Sequence, residues 1–503
     1  MAMQSPQPPS RPRHEQLVLM SAGLMSVGLI GLLWVVYLRR VPHLDLDVFL
    51  QAGNAVRHGL DPYPPPGAAE VYSGHSFVYP YPVAWLFVPL SLLPGCAAAA
   101  VFITGSAAAV VAGCRLLGVR SVAVCGLVLV MSTTIVGLQM GTLNALLFCG
   151  VAALWRFRDR PWIAAAVLTA LTVSKLFLAP LWLWLLFTRR TRAAGLAAAG
   201  IGAVLGLGWL TGPLGPSSYG SLLSLLGTHE AAAGLSPTGL LINLGLGAPL
   251  AQNIARLAAA ARILAAAVRA RAGADERVLM AACLVAALVA SPVVWNHYLI
   301  LLVVPLLIGA RTEESQRLVV VLAAACSWLV VTPHATDALR ASIGGCLLLL
   351  LAACAFRSSV LRSPGRAGRP TARTAGDAGV ATRLGSTRLA ATRTGLAAGA
   401  AAAAFGVVEA LGTAQGHGGP VVGAGFAVMG MAAVVAFVWS APPAAGARTA
   451  AGAVESSGGQ GSHSVSAGST VGESGPPQRP LPGSPSATQR MHTWSTRNAA
   501  GSA

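Results

Sequence analysis

From residue 17 to residue 356 the chain alternates apolar runs of 12 to 22 residues with short polar breaks. The runs at 17–38, 97–118, 121–138, 142–156, 161–174, 176–187, 193–210, 250–268, 278–290, 297–309, 318–332 and 341–356 predict an all-α polytopic bundle of about 12 membrane-crossing helices. A span needs roughly 17–25 mostly apolar residues, and shorter ones are tolerated when neighbouring helices bury them. Residues 83–93 are too few to cross and read as an interfacial helix. Leu17–Leu38 is longer than the apolar core of a signal peptide, lacks a small-residue cleavage site and ends in Arg39-Arg40, so it reads as an uncleaved first span. Two alanine- and glycine-rich runs at 396–411 and 421–440 suggest an extra hairpin of spans. The expected organisation is therefore an N-terminal tail (1–16), a transmembrane domain (17–356) with large loops at 39–96 and 211–237, a basic linker (357–395), the hairpin (396–441) and a disordered tail (442–503).

Composition strengthens this picture. Of 503 residues 55% are hydrophobic and 10% charged, whereas a soluble domain carries about 25% charged residues. The net charge of +18 comes from 34 basic residues, of which Lys175 is the one lysine, and these sit mostly in the breaks and the C-terminal region. Placed between apolar runs, they suit loops facing an anionic inner leaflet, so nucleic acid is not the expected partner. With the N-terminus inside, inner breaks hold nineteen basic residues and outer ones five, the bias expected of a plasma-membrane protein with a cytoplasmic N-terminus, although Arg39 and Arg40 oppose it locally. The eight cysteines lie in or beside apolar runs with no Cys-x-x-Cys pair, which speaks against a zinc site.

That orientation gathers Asp45, Asp47, Asp61, Glu70, Gln139, Asn144, Lys175, His229, Glu230, Asn296 and His297 on the outer face and leaves little besides arginine on the inner one. Ionisable groups near membrane depth cost about 2.5–3.5 kcal/mol on insertion scales and usually line a cavity or pathway. A transporter or flippase would spread them through the depth and show an internal repeat. Neither is evident in the sequence.

Several motifs follow one another in order: Asp45-Leu-Asp-Val-Phe-Leu-Gln-Ala-Gly53, Gly59-Leu-Asp-Pro-Tyr63, Phe77-Val-Tyr-Pro-Tyr-Pro82, Pro89-Leu-Ser-Leu-Leu-Pro94, Gly137-Leu-Gln-Met-Gly-Thr-Leu-Asn144, Lys175-Leu-Phe-Leu-Ala-Pro180 and Ser291-Pro-Val-Val-Trp-Asn-His297. Together they resemble glycosyltransferase family 87. The resemblance implies a GT-C membrane enzyme that takes a hexose, typically mannose, from a polyprenyl phosphate and passes it to a glycolipid or glycan outside the cell. It also implies a catalytic base on the first outer loop, at Asp45; position and chemistry alone leave Asp45 and Asp47 open. Asn296-His297-Tyr298 stands where members of that family often carry two histidines.

Such transfer needs a carboxylate to take the acceptor's proton, cationic or donor groups for the departing phosphate, and access from lipid. Asp45 is the expected base, with His297 beside it as a second catalytic group that contacts phosphate or orients the carboxylate. Lys175 is the expected phosphate-binding charge, or else an interfacial lysine. Asp47, Tyr63, Gln139, Asn144, His229, Glu230, Trp295 and Asn296 are candidate substrate-lining residues. Tyr63, Tyr79, Tyr81, Trp85 and Trp295 suit either sugar stacking or an aromatic belt at the headgroups. Asp45-Leu-Asp47 has the spacing of a metal-binding pair but no α/β domain around it, so the expectation is catalysis without metal or cofactor. The rival readings are a lipid-linked-sugar transporter and a catalytically silent scaffold.

Overall fold

A computed structural model describes residues 31, 34–35, 38, 42–65, 71, 76–271, 275–310, 312–331 and 431–432. Most of the first expected span, Arg39, Arg40, Glu70, the span at 341–356, the linker 357–395, most of the hairpin 396–441 and the tail 442–503 lie outside the described residues. Among the described residues the chain is helical, with no strand.

Among the described residues two helices are long and apolar enough to cross a membrane, α3 (Gly95–Leu116) and α9 (Thr191–Thr211). The expected straight span at 121–138 is instead a pair, α4 (Val122–Val130) and α5 (Ser132–Met140), bent by 61° at Met131. A break among apolar helices frees backbone groups that lipid cannot satisfy. Here Ser327, on α15 (Glu313–Val331), supplies the partners: its Oγ accepts from Ser132 N at 3.0 Å, and its carbonyl accepts from the Ser132 hydroxyl. The Thr134 hydroxyl donates to Val128 O at 2.6 Å and covers a further freed carbonyl.

Further helices complete the bundle. They are α6 (Asn144–Arg156), α7 (Pro161–Ser174), α8 (Pro180–Phe187), α12 (Ala248–Arg271), α13 (Glu276–Ala290) and α14 (Val303–Gly309), with 3-10 turns at Leu176–Leu178 and Asn296–Leu302. Helix α13 is the core, buried at every residue from Val278 to Leu288, and α8 and α12 pack against it. It stops at Ala290 because Pro292 follows and disfavours helical backbone just before it.

At one end of the bundle the breaks around 156–160, 188–192 and 275–277 meet. Arg158 Nε and Arg190 Nη1 each lie 2.8 Å from a carboxylate oxygen of Glu276, and Arg190 Nη2 lies 2.7 Å from Asp159. Three breaks assigned to the inner face thus share one end. The expectation of little besides arginine there is corrected: Asp159 and Glu276 partner the arginines, and the salt bridge with Arg190 holds the Asp159 carboxyl below the usual range.

The other end is built from the first loop. Helix α1 (Leu44–Arg57) packs on α2 (Tyr81–Ser91), with Phe49 stacked on Phe87 at 4.5 Å. The two approach so closely at Gly53 that a Cβ there would sit 2.7 Å from the Phe87 carbonyl carbon. Helix α2 has 11 residues, about 16 Å of helix, too short to cross, and it leaves Leu86 67% exposed. After α1, the Asp61 carboxylate accepts from Tyr63 N at 2.8 Å and closes the turn that Asp-Pro-Tyr predicts. The loop at 211–237 folds as α10 (Pro216–His229) and a 3-10 turn at Ala231–Ala233, followed by α11 (Pro237–Asn243).

Candidate active site

A cavity of about 850 Å³ opens at the end of the bundle away from the arginine cluster. Its wall comes from the start of α1, the segment before α2, the C-terminal half of α5, the stretch after α7, one face of α10, the end of α13 and the segment 291–298. Asp45, Lys175, Glu230, Trp295, Asn296 and His297 all line it.

Asp45 is held by the seat under its helix. The His43 ring Nδ1 is 2.7 Å from the Gln139 carbonyl oxygen, which anchors the residue before α1 to the end of α5. Gly141 then turns the chain at φ +72°, and a Cβ there would lie 2.5 Å from Leu46 Cβ. Only glycine meets both demands, positive φ and backbone contact. Gly137, in the same motif, faces the His297 Cβ, which a Cβ at Gly137 would approach to 3.3 Å. The Gly137–Asn144 stretch therefore positions α1 on one side and His297 on the other. Asp47 is exposed and Asp45 partly buried. Two residues apart on a helix, they cannot face one point, and Asp45 alone of the pair lines the cavity.

Lys175 leaves the C-terminus of α7 in an extended conformation, φ −148° and ψ 100°. Its Nζ donates to the Tyr298 hydroxyl at 2.6 Å and lies 4.4 Å from the Tyr79 ring centroid and 4.5 Å from that of Tyr298. Tyr298 in turn stacks on Phe177 at 5.4 Å with 12° between planes and meets the His297 ring edge-on at 4.9 Å. The Tyr79 segment is pinned by two hydroxyls: Tyr63 donates to Tyr79 O at 2.9 Å and Tyr219 to Val78 O at 3.0 Å. Burial holds both phenols protonated far above their ordinary range, as their donor role requires.

The far wall joins two loops. Leu235 N donates to Val294 O at 2.6 Å and the Ser236 hydroxyl to Pro292 O at 2.6 Å. Glu230 sits on this wall, where burial raises its carboxyl above the usual carboxylate range against the pull of His229 and Lys175. The Asn296 carboxamide is buried, and neither its nitrogen nor its oxygen has a partner among the described residues. Buried amides are normally paired, so this one is set up to meet a ligand that both donates and accepts.

Other sequence candidates fall elsewhere. Tyr63 is a prop behind the wall, and the His229 side chain is exposed beside Glu230. The Gln139 side chain is exposed too, and it is the backbone carbonyl of that residue that holds His43. Asn144 is buried at the start of α6 with its Nδ2 donating to Thr142 Oγ1 at 3.1 Å. None of the four, nor Asp47, lines the cavity. Tyr298 and Tyr219 were not singled out by sequence; Tyr298 carried no signal beyond its place next to His297, and Tyr219 meets Val78 across 141 residues.

An ionisable cavity at one end of an apolar bundle is compatible with several activities, and a comparison with known families narrows them. Residues 77–292 match the model of glycosyltransferase family 87. That similarity, with the apolar helices, indicates a membrane glycosyltransferase. The match takes in Tyr79, Lys175, Tyr219 and Glu230, while Asp45 precedes it and Asn296, His297 and Tyr298 follow it. No curated protein and no solved structure matches the chain.

Proposed function

We propose that the protein is a GT-C-type glycosyltransferase of the plasma membrane that transfers a hexose, mannose in the first instance, from polyprenyl phosphate to an extracytoplasmic glycolipid or glycan. The observation that carries this reading is the convergence of Asp45, Lys175 and His297 on one cavity. The cavity holds a carboxylate, a fixed cation and an imidazole, which are the groups a sugar-phosphate donor and an alcohol acceptor require.

In the proposed reaction the acceptor oxygen attacks the anomeric carbon as the bond to the phosphate oxygen breaks. The Asp45 carboxylate takes the acceptor's proton, and the phosphate leaves with the bonding electron pair. Asp45 sits in the first turn of α1, where the helix dipole favours negative charge. Lys175 and His297 face the charge that grows on the phosphate, a type of stabilisation worth roughly 10²–10³ in rate per donor. One base and one displacement give inversion at the anomeric carbon. The chain's own groups suffice for these steps, so we propose metal-independent transfer.

Orientation follows from the two ends of the bundle. The arginine cluster belongs at the anionic inner leaflet, and helix α7 separates it from Lys175 by 14 residues, about 21 Å. The cavity is therefore assigned to the outer face, with the N-terminus cytoplasmic.

Purified full-length protein in lipid nanodiscs, given a short-chain polyprenyl-phosphate mannose and a mannosylated glycolipid, is expected to yield free polyprenyl phosphate and an extended glycolipid. Intact donor carried across sealed vesicles without cleavage would replace the enzyme reading with a transporter.

A further inference from the structure

We infer that Tyr298 is a catalytic residue, its hydroxyl being the hydrogen-bond donor that meets the departing phosphate and Lys175 the group that aims it. This rests on the glycosyl-transfer reading above.

Three observations lead here. First, the Lys175 ammonium is committed: it donates to Tyr298 at 2.6 Å and is flanked by the Tyr79 and Tyr298 rings at 4.4 and 4.5 Å, distances at which a cation is attracted to an aromatic face. An ammonium held this way acts on a phosphate largely through what it polarises. Second, a phenol that accepts from an ammonium still has its own proton to give. Tyr298 lines the cavity, and its O–H has no acceptor among the described residues. A neighbouring positive charge strengthens such a donor. Third, the ring cannot swing away, because Phe177 stacks on one side and the Lys175 ammonium is set against it. The hydroxyl is therefore preorganised, which is the condition for donors that stabilise charge appearing in a transition state.

In the step, the sugar–oxygen bond to phosphate breaks and the electron pair goes to the phosphate oxygen, as before. The Tyr298 proton stays on the phenol and only shortens its hydrogen bond to that oxygen. The acceptor's proton still ends on Asp45.

Tyr298→Phe keeps the ring, its stack on Phe177 and its face toward Lys175, and removes the hydroxyl alone. In nanodiscs with short-chain polyprenyl-phosphate mannose, kcat for release of polyprenyl phosphate is expected to fall about 100-fold, with donor KM within about threefold and the melting temperature unchanged. Lys175→Met is expected to lose at least as much, and Tyr298→Phe combined with Lys175→Met no more than Lys175→Met alone, since the two act as one unit. A Tyr298→Phe enzyme with wild-type kcat, or one that loses only donor affinity, overturns the assignment. If Tyr298→Phe lowers the melting temperature, 3-fluorotyrosine in place of Tyr298 carries the test: its more acidic phenol is expected to speed donor cleavage, and an unchanged rate overturns the assignment. A wild-type enzyme that releases no polyprenyl phosphate instead overturns the glycosyltransferase reading beneath it.

Discussion

Asp45 and Asp47 have the same side chain, the same helix and nearly the same place in the sequence, yet α1 turns one toward the cavity and the other to solvent. Asp47→Asn is accordingly expected to keep transfer within about threefold of wild type, since surface changes away from packed features cost little; steady-state kinetics check it. Glu230 shows the opposite effect of environment on a carboxylate. Burial raises its ionisation above the usual carboxylate range, so the folded state holds its proton more tightly than the unfolded one. The resulting stability is full below the unfolded value near pH 4.3 and is lost as pH rises through the folded one. Glu230→Gln is expected to raise the melting temperature at pH 7.5 and leave it unchanged near pH 3.5. Residue identities were readable at this scale, since Asp45, Lys175 and His297 stand out in an apolar chain. Facing was not: nothing in Asp-Leu-Asp says which carboxylate a helix will bury until the helix and its seat at Gly141 are known.

Elements were readable in outline and misread at their breaks. Apolar runs locate α3 and α9 within two residues at either end, because length and hydropathy are local properties. The bend between α4 and α5 is not local. Its polar partner, Ser327, lies 195 residues downstream, and no window of sequence around Met131 contains it. Ser327→Ala leaves the Ser132 N–H buried without an acceptor, which costs about 1–3 kcal/mol, and reversible unfolding in detergent is expected to show that loss. The Gly137–Asn144 motif was legible as a motif but not as a seat. Gly141→Ala would strain a positive φ and push against Leu46. It is expected to shift α1 and lower kcat by about 100-fold with donor affinity little changed, which kinetics and direct donor binding together resolve.

For the whole molecule, charge and geometry agree on two unlike ends. Arg158, Arg190, Asp159 and Glu276 close one end. Partly exposed pairs of this kind are worth about 0–1 kcal/mol each, so the cluster matters more for which breaks it gathers than for stability. With the eight native cysteines replaced by serine, His229→Cys is expected to react with a membrane-impermeant thiol reagent only from outside the cell. Asp159→Cys is expected to react only from inside. Labelling of both from one side would contradict the assigned topology. The bundle could be anticipated because apolar runs dominate the chain, whereas the cavity could not, since its wall draws on segments scattered from Asp45 to Tyr298.

The central claim is that Asp45 is the base of a glycosyl transfer, and the most direct measurement is single-turnover mannosyl transfer by Asp45→Asn in nanodiscs loaded with polyprenyl-phosphate mannose. The amide keeps the size of the side chain and removes its ability to take a proton. The account predicts donor binding close to wild type with transfer slowed about 10²–10⁴-fold, and transfer at the wild-type rate would contradict it.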